Sequence, residues 1–339
     1  MWEKYGHMFD GLKILFMKFF KTFSLVILST ASIFGQNLSN YVPFTGWGVN
    51  MNNSEELIIL RKFFKDGHYC YFTLSPKSLN TKILSADSIS INQVSWQTIQ
   101  SRYSLTPYIH ALKLAELHSD TLQDAGFTRF MPSQKGIDLT IDLCPSQRPL
   151  DRIVFTDLIN EIGKIEKPVP IAVSITGRWI SEHPGDLSWL DSLARTGELS
   201  ILWINHSYNH HTYKNVPLKR NFMMAPGTDI DSEVLLTEIA LLQKNIVPSV
   251  FFRFPGLVSD HDIYDKILNL GLIPVGSDAW LAKGQWPTDG SIVLIHANGN
   301  ESVGVRDFIN LLKDKRAEVL SKRWELYDLR ESLIDDLSK

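Results

Sequence analysis

His206-Ser207-Tyr208-Asn209-His210 sets two imidazoles four residues apart. On one helical turn they would share a face and could chelate a single cation. His211, next to them, would point elsewhere. Asp142 closes the run Ile137-Asp138-Leu139-Thr140-Ile141. A carboxylate after a buried strand must be paired, solvated or metal-bound, and helix N-capping is an equally open reading. Arg253 sits between Val250-Phe251-Phe252 and Phe254-Pro255-Gly256. A guanidinium there would keep a nearby carboxylate ionised, or would form a merely structural ion pair. Asp278 precedes Ala279-Trp280, and His296 follows Ile292-Val293-Leu294-Ile295. A carboxylate on one ring nitrogen fixes the tautomer of a histidine and raises its basicity, and such a histidine can protonate a leaving group. Each feature alone is weak; the set in chain order is far more specific.

Every one of these residues falls at the end of an apolar run. Ile137 to Leu143, Val169 to Ile175, Leu199 to Ile204, Ser249 to Arg253, Leu272 to Val275 and Ile292 to Ile295 read as strands. Helical patterns run over Asp151 to Glu166, Asp186 to Arg195, Asp231 to Asn245, Asp262 to Leu270 and Val303 to Val319, with Gly271 as a stop. Strand–helix alternation predicts a parallel sheet covered by helices, whose C-terminal edge carries the site. About 200 residues is short for a closed eight-stranded barrel, which typically takes about 250. The expected fold class is therefore α/β, a distorted and incomplete β/α barrel, over residues 132–339. Residues 36–131 read as an N-terminal accessory region of unassigned role, with one strand at His68 to Leu74 and a helix at about Pro107 to Ala125.

Read in order, the motifs resemble the polysaccharide deacetylases, the NodB-homology domain of carbohydrate esterase family 4. Thr140-Ile141-Asp142-Leu143-Cys144-Pro145 is similar to that family's Thr-Phe-Asp-Asp-Gly-Pro. His206, Ser207 and His210 match its His-Ser/Thr-x-x-His in full. Arg253-Phe254-Pro255 resembles its Arg-x-Pro, Asp278-Ala279-Trp280 its Asp near a Trp, and Leu294-Ile295-His296 its Leu-x-His. The resemblance covers about residues 136–300 and leaves out 37–131. It implies that His206 and His210 bind a divalent metal, usually Zn2+. It also implies that Asp142 is the general base, that Arg253 orients it, and that His296, backed by Asp278, protonates the leaving group. The implied reaction removes acetyl groups from N-acetylated, or O-acetylated, carbohydrate, and the implied partner is a polymer or oligosaccharide. One departure matters. The family's third metal ligand is its second Asp, where this chain has Leu143. Asp142 itself, Asp138, Asp229 or Asp260 could fill the gap. Otherwise the domain is an exported carbohydrate-binding or inactive relative.

Composition narrows the partners. The 339 residues carry 34 Lys+Arg against 37 Asp+Glu, a formal charge of −3. No basic excess exists to hold a polyanion, which argues against nucleic acid. Nine tryptophans and ten tyrosines supply surfaces on which sugars can stack, but most such residues are ordinary core or surface. Cys70 and Cys144 are the two cysteines, with a disulfide between them left open. Lys18 to Lys21 and the apolar Thr22 to Phe34 lay out a secretory leader ending near residue 35, too short to span a bilayer comfortably. The expected mature protein is exported, periplasmic or secreted, with no stable membrane span after leader cleavage.

Overall fold

The computed structural model describes residues 38–339. The expected leader, residues 1–35, lies outside the described residues. The chain opens with an antiparallel meander: β1 (Leu38–Asn50), β2 (Glu56–Lys65), β3 (His68–Leu74), β4 (Thr81–Ser85) and β5 (Ile89–Gln93), in the order β4-β3-β2-β1-β5. Only β3 was expected. The others lack plain alternation for a physical reason. Ile58, Leu60 and Phe63 of β2 face the core shared with the parallel sheet, while Leu57 and Ile59 face a separate apolar cluster with Tyr71 and Ile89. Both faces of that strand are therefore apolar. In β1, register shifts between Ser39 and Val42 and between Pro43 and Gly46 break the two-residue period.

Two helices follow, α1 (Trp96–Arg102) and α2 (Pro107–Glu116). The second stops well before Ala125. Beyond it, residues 123–130 leave the helical path and hydrogen-bond to the strands that come later. Phe127 N donates to the Pro274 carbonyl at 3.0 Å, and Gly276 N to Phe127 at 2.7 Å. Phe130 N donates to Gly290 at 2.9 Å. Gly126 is required there: at φ 108° a Cβ would lie 2.6 Å from the Pro274 carbonyl carbon.

The remaining elements alternate: β6 (Gly136–Leu143), α3 (Arg152–Glu161), β7 (Val169–Ile175), α4 (Gly177–Glu182), α5 (Pro184–Arg195), β8 (Leu199–Asn205), α6 (Ile230–Leu242), β9 (Phe251–Phe252), α7 (His261–Asn269), β10 (Ile273–Pro274), β11 (Ala279–Trp280), β12 (Ile292–His296), α8 (Ser302–Leu320), β13 (Glu325–Leu326) and α9 (Leu329–Leu337). Their strands pair in parallel in the order β10-β9-β8-β7-β6-β12-β11, with β13 on β6. The sheet does not close, as an incomplete β/α barrel requires, and residues 123–130 run between β10 and the start of β12. β6 and β7 are buried at every residue because helices or the meander cover both faces.

Alternation along β6 divides its side chains. Ile137, Leu139, Ile141 and Leu143 join the apolar cluster on the helix side, with Ile175, Trp179 and Phe155. The meander and α2 share the other core, in which Phe63, Phe72 and Ile109 meet Leu202, Ile204 and Phe251. A buried ion pair ties the meander to α6: Arg61 Nε and Nη2 reach the two Glu238 oxygens, each at 2.9 Å, and Tyr41 donates to Glu238 at 2.8 Å. Among the described residues, no helix is long and apolar enough to cross a membrane.

Candidate active site at the strand ends

Four parallel strands of one sheet deliver residues at or just past their C-terminal ends to one place. Asp142 is the last residue but one of β6, His206 follows β8, Arg253 follows β9 and His296 ends β12. Asp142 is 2 % exposed and Arg253 fully buried, and Nη1 of the guanidinium meets Oδ1 at 2.9 Å. Arg253 also donates to Thr140 Oγ1 at 2.6 Å and to the Gly276 carbonyl at 2.7 Å. Burial pushes the Asp142 carboxyl up, but Arg253, then His206 and His296, outweigh it and hold the group below the usual carboxylate range. The structure therefore brings the expected base and its cation together.

His206 and His210 also meet, though not on a helical turn. Residues 206–212 form a loop with Ser207 and His210 in the left-handed region, at φ 65° and 49°. Buried Glu233, in the first turn of α6, holds that loop. It accepts from the backbone N of Tyr208 at 2.9 Å and of Asn209 at 2.8 Å, and from the Asn209 side chain at 2.8 Å. Tyr208 lies flat on Gly177, where any Cβ would come within 2.0 Å of its ring. The two imidazole centroids end 4.8 Å apart. The Nδ1–H of His206 donates to the Arg253 carbonyl at 2.9 Å, which leaves the Nε2 lone pair free to bind.

Leu143, Asp138, Asp229 and Asp260 supply no third donor, each being engaged elsewhere. Leu143 lies in the helix-side core. Asp229 caps α6, accepting from Ser232 N at 3.2 Å, and Asp260 caps α7, accepting from Ile263 N at 3.0 Å. Asp138 shares the Asp142 face of β6 but sits toward the other end, bound by Ser332 Oγ at 2.8 and 2.9 Å. The side chain that does arrive is Cys144. It stands 3.6 Å from His206 Nε2 and 3.5 Å from His210 Nε2. The three donor atoms lie within 4.8 Å of one another, a spread that suits one divalent cation. Burial raises the Cys144 thiol, but His210, His296 and the contact with His206 hold it well below the usual thiol range. Cys70 and Cys144 are both free and buried, so the open question of a disulfide is settled against one.

His296 faces a carboxylate other than the one expected. Its Nδ1 lies 2.8 Å from Glu301 Oε2, an ion pair set off the line of an ideal N–H bond. Trp280 Nε1 donates to that same oxygen at 2.9 Å, and its ring lies 5.5 Å from the imidazole. Burial lowers His296, yet Cys144, Glu301 and Asp142 raise it well above the usual imidazole range. Asp278, assigned to this role by the resemblance, instead lies 3.7 Å from Arg129. Burial raises its carboxyl against the pull of Ser291 and Arg129. Sequence reasoning missed Cys144 and Glu301. Cys144 stood inside the quoted first motif, and Glu301 stands five residues after His296 at the start of α8.

Asp142, Cys144, His210, His296 and Glu301 line a cleft of about 560 Å³, with Tyr213 and Trp280 on its walls. No family model matches the chain. Family 4 carbohydrate esterases and peptidoglycan deacetylases stand among its solved structural neighbours. One is a family 4 carbohydrate esterase from Bacillus anthracis, at 20% identity and TM-score 0.44 over 66% of this chain and 92% of that one. Another is a peptidoglycan N-acetylglucosamine deacetylase, at 14% identity and TM-score 0.45 over 60% and 91%. A third is a family 4 pseudoenzyme from Bacillus anthracis, at 17% identity and TM-score 0.42 over 63% and 70%.

Asp138 carries a separate consequence. Burial pushes its carboxyl up to about 8, against the Ser332 hydrogen bond and with help from Asp328. The unfolded chain releases that proton near pH 3.9, whereas the folded chain keeps it to about pH 8. Folding therefore retains a proton across this window, and its contribution to stability falls as pH rises through it, by about 1.4 kcal/mol per unit. Denaturant titrations at pH 5 and pH 8 should show Asp138→Asn gaining on the wild type at the higher pH. Parallel curves would mean that Asp138 is ionised in the fold.

Proposed function

We propose that the protein is a metal-dependent hydrolase that removes acetyl groups from N- or O-acetylated carbohydrate. The observation that carries this reading is the convergence, in one cleft, of three units: His206 with His210, Asp142 with Arg253, and His296 with Glu301. A divalent cation on the two imidazoles, with Zn2+ the first choice, would polarise an acyl oxygen and lower the pKa of water. Asp142, kept ionised by Arg253, accepts the proton of the attacking water. His296, kept protonated by its neighbours, gives a proton to the departing sugar nitrogen or oxygen. Buried Arg253 and the Glu233-held loop fix these groups before substrate arrives. Trp280 and Tyr213 stand on the cleft wall, where aromatic side chains can meet a sugar.

Export to the periplasm or the medium remains part of this proposal and rests on residues 18–35 of the sequence. So does the reading of residues 36–131 as accessory to the catalytic region.

The test is acetate release from N-acetylated chitooligosaccharide, peptidoglycan and acetylated xylan. Release should stop with chelator and return with Zn2+. If the metal-loaded protein binds these carbohydrates and releases no acetate, the chain is a binding protein built on the same cleft.

A further inference from the structure

We propose that Cys144, as thiolate, is the third protein ligand of the metal centre, which makes that centre selective for thiophilic ions of the zinc class. This inference rests on the metal site in the proposed function and gives that site its missing donor.

The distances carry the argument. A tetrahedral zinc ion holds sulfur at about 2.3 Å and imidazole nitrogen at about 2.0–2.1 Å, which places S and N about 3.5–3.6 Å apart. The Cys144 Sγ lies 3.6 and 3.5 Å from the Nε2 atoms of His206 and His210. Those edges match a tetrahedron without the ion being present. Both histidines turn Nε2 toward the sulfur, and the His206 Nδ1–H is already committed to the Arg253 carbonyl. A ring N–H committed in that way is what orients a metal-binding imidazole.

The backbone that carries the sulfur is held in place. The buried Asn298 side chain donates to the Cys144 carbonyl at 2.9 Å, and Ser146 Oγ donates to the Asn298 carbonyl at 2.8 Å. This ties the residues just after β6 to those just after β12.

The nearby carboxylate is the rival, and it is already engaged. Asp142 Oδ2 stands 3.5 Å from His206 Nε2, but Oδ1 is bound by Arg253. A guanidinium on a carboxylate competes with a cation for the same charge. With Asp142 left as the base, Cys144, His206 and His210 give three ligands and an open fourth position, the usual arrangement of a catalytic zinc. Thiolate favours Zn2+, Co2+ and Cu+ over Mg2+, Ca2+ and Mn2+, so the substitution of sulfur for a carboxylate changes which ion is held.

The experiment is Co2+ loading of the purified, metal-stripped protein, followed by absorption spectroscopy. The wild type should bind one equivalent and show a thiolate-to-cobalt charge-transfer band in the near ultraviolet. Cys144→Ser should lose the band and weaken Co2+ binding by about 100-fold or more, since even outer-shell partners are worth 10–100-fold. Cys144→Asp should bind Co2+ without the band, and circular dichroism would show whether either variant is folded. Co2+ bound by the wild type with no band, and held as tightly by Cys144→Ser, would overturn the thiolate assignment and leave the metal-hydrolase reading standing. A wild type that takes up no Co2+ or Zn2+ would overturn both. A band without acetate release on any substrate would support the thiolate site and sink the activity.

Discussion

His210→Ala is expected to empty the metal site and abolish acetate release together, while the fold survives. His210 lies at the cleft wall on a loop that Glu233 holds through the neighbouring backbone, so the loop keeps its anchor when the imidazole goes. Two donors, Cys144 and His206, would then remain, too few for tight binding of a zinc-class ion. His206→Ala should give the same loss of metal and also cost stability. That side chain is 1 % exposed and satisfies the Arg253 carbonyl, and stranding a buried acceptor costs about 1–3 kcal/mol. Elemental analysis and acetate release on the same preparation check both. Full metal content in His210→Ala would show that the ion sits elsewhere.

The second large effect belongs to His296. Its alanine variant should lose about 10²–10⁴ in turnover on amide substrates, the range for loss of a general acid. On an aryl acetate, whose leaving group departs without a proton, the loss should be much smaller. Glu301→Gln should act in the same direction, less severely, with a distinct pH signature. The Glu301 carboxylate stabilises the imidazolium, so its removal lowers the pKa of His296. The acid is then lost at lower pH, and the basic limb of kcat/KM moves down. Asp278→Asn should leave that limb in place, because Asp278 faces Arg129 rather than the imidazole. A basic limb that follows Asp278 and ignores Glu301 would reverse the assignment.

The contrast between Glu301 and Asp278 marks where sequence reading stops. Both carboxylates are close to His296 in the chain or in motif order. Which one faces the ring depends on how the loop after β12 turns into α8, and that path is set by packing. Cys144 is a similar case. It was visible beside Leu143, but a one-residue step along β6 decides which side chain faces the cleft. Alternation sends Leu143 into the helix-side core and Asp142 inward, and the chain leaves the strand at Cys144. The sequence suggested that the two histidines share a helical turn. They meet instead because left-handed residues and Glu233 fold the loop, a contact across 24 and 25 residues of chain.

What the sequence determined by itself was the layout of the parallel strands and the residues at their ends. Val169–Ile175 stands where it was read, and Asp142, His206, Arg253 and His296 lie at or next to the ends of their strands. Long apolar β-branched runs flanked by polar residues have few alternative placements, so local pattern suffices there. The tertiary structure decided the meander, the bridging of the open sheet by residues 123–130, and the partners inside the site. Those depend on contacts between distant segments: β2 is apolar on both faces because two separate clusters claim it, and the donor beside the two imidazoles is the one that the end of β6 happens to bring within 3.6 Å.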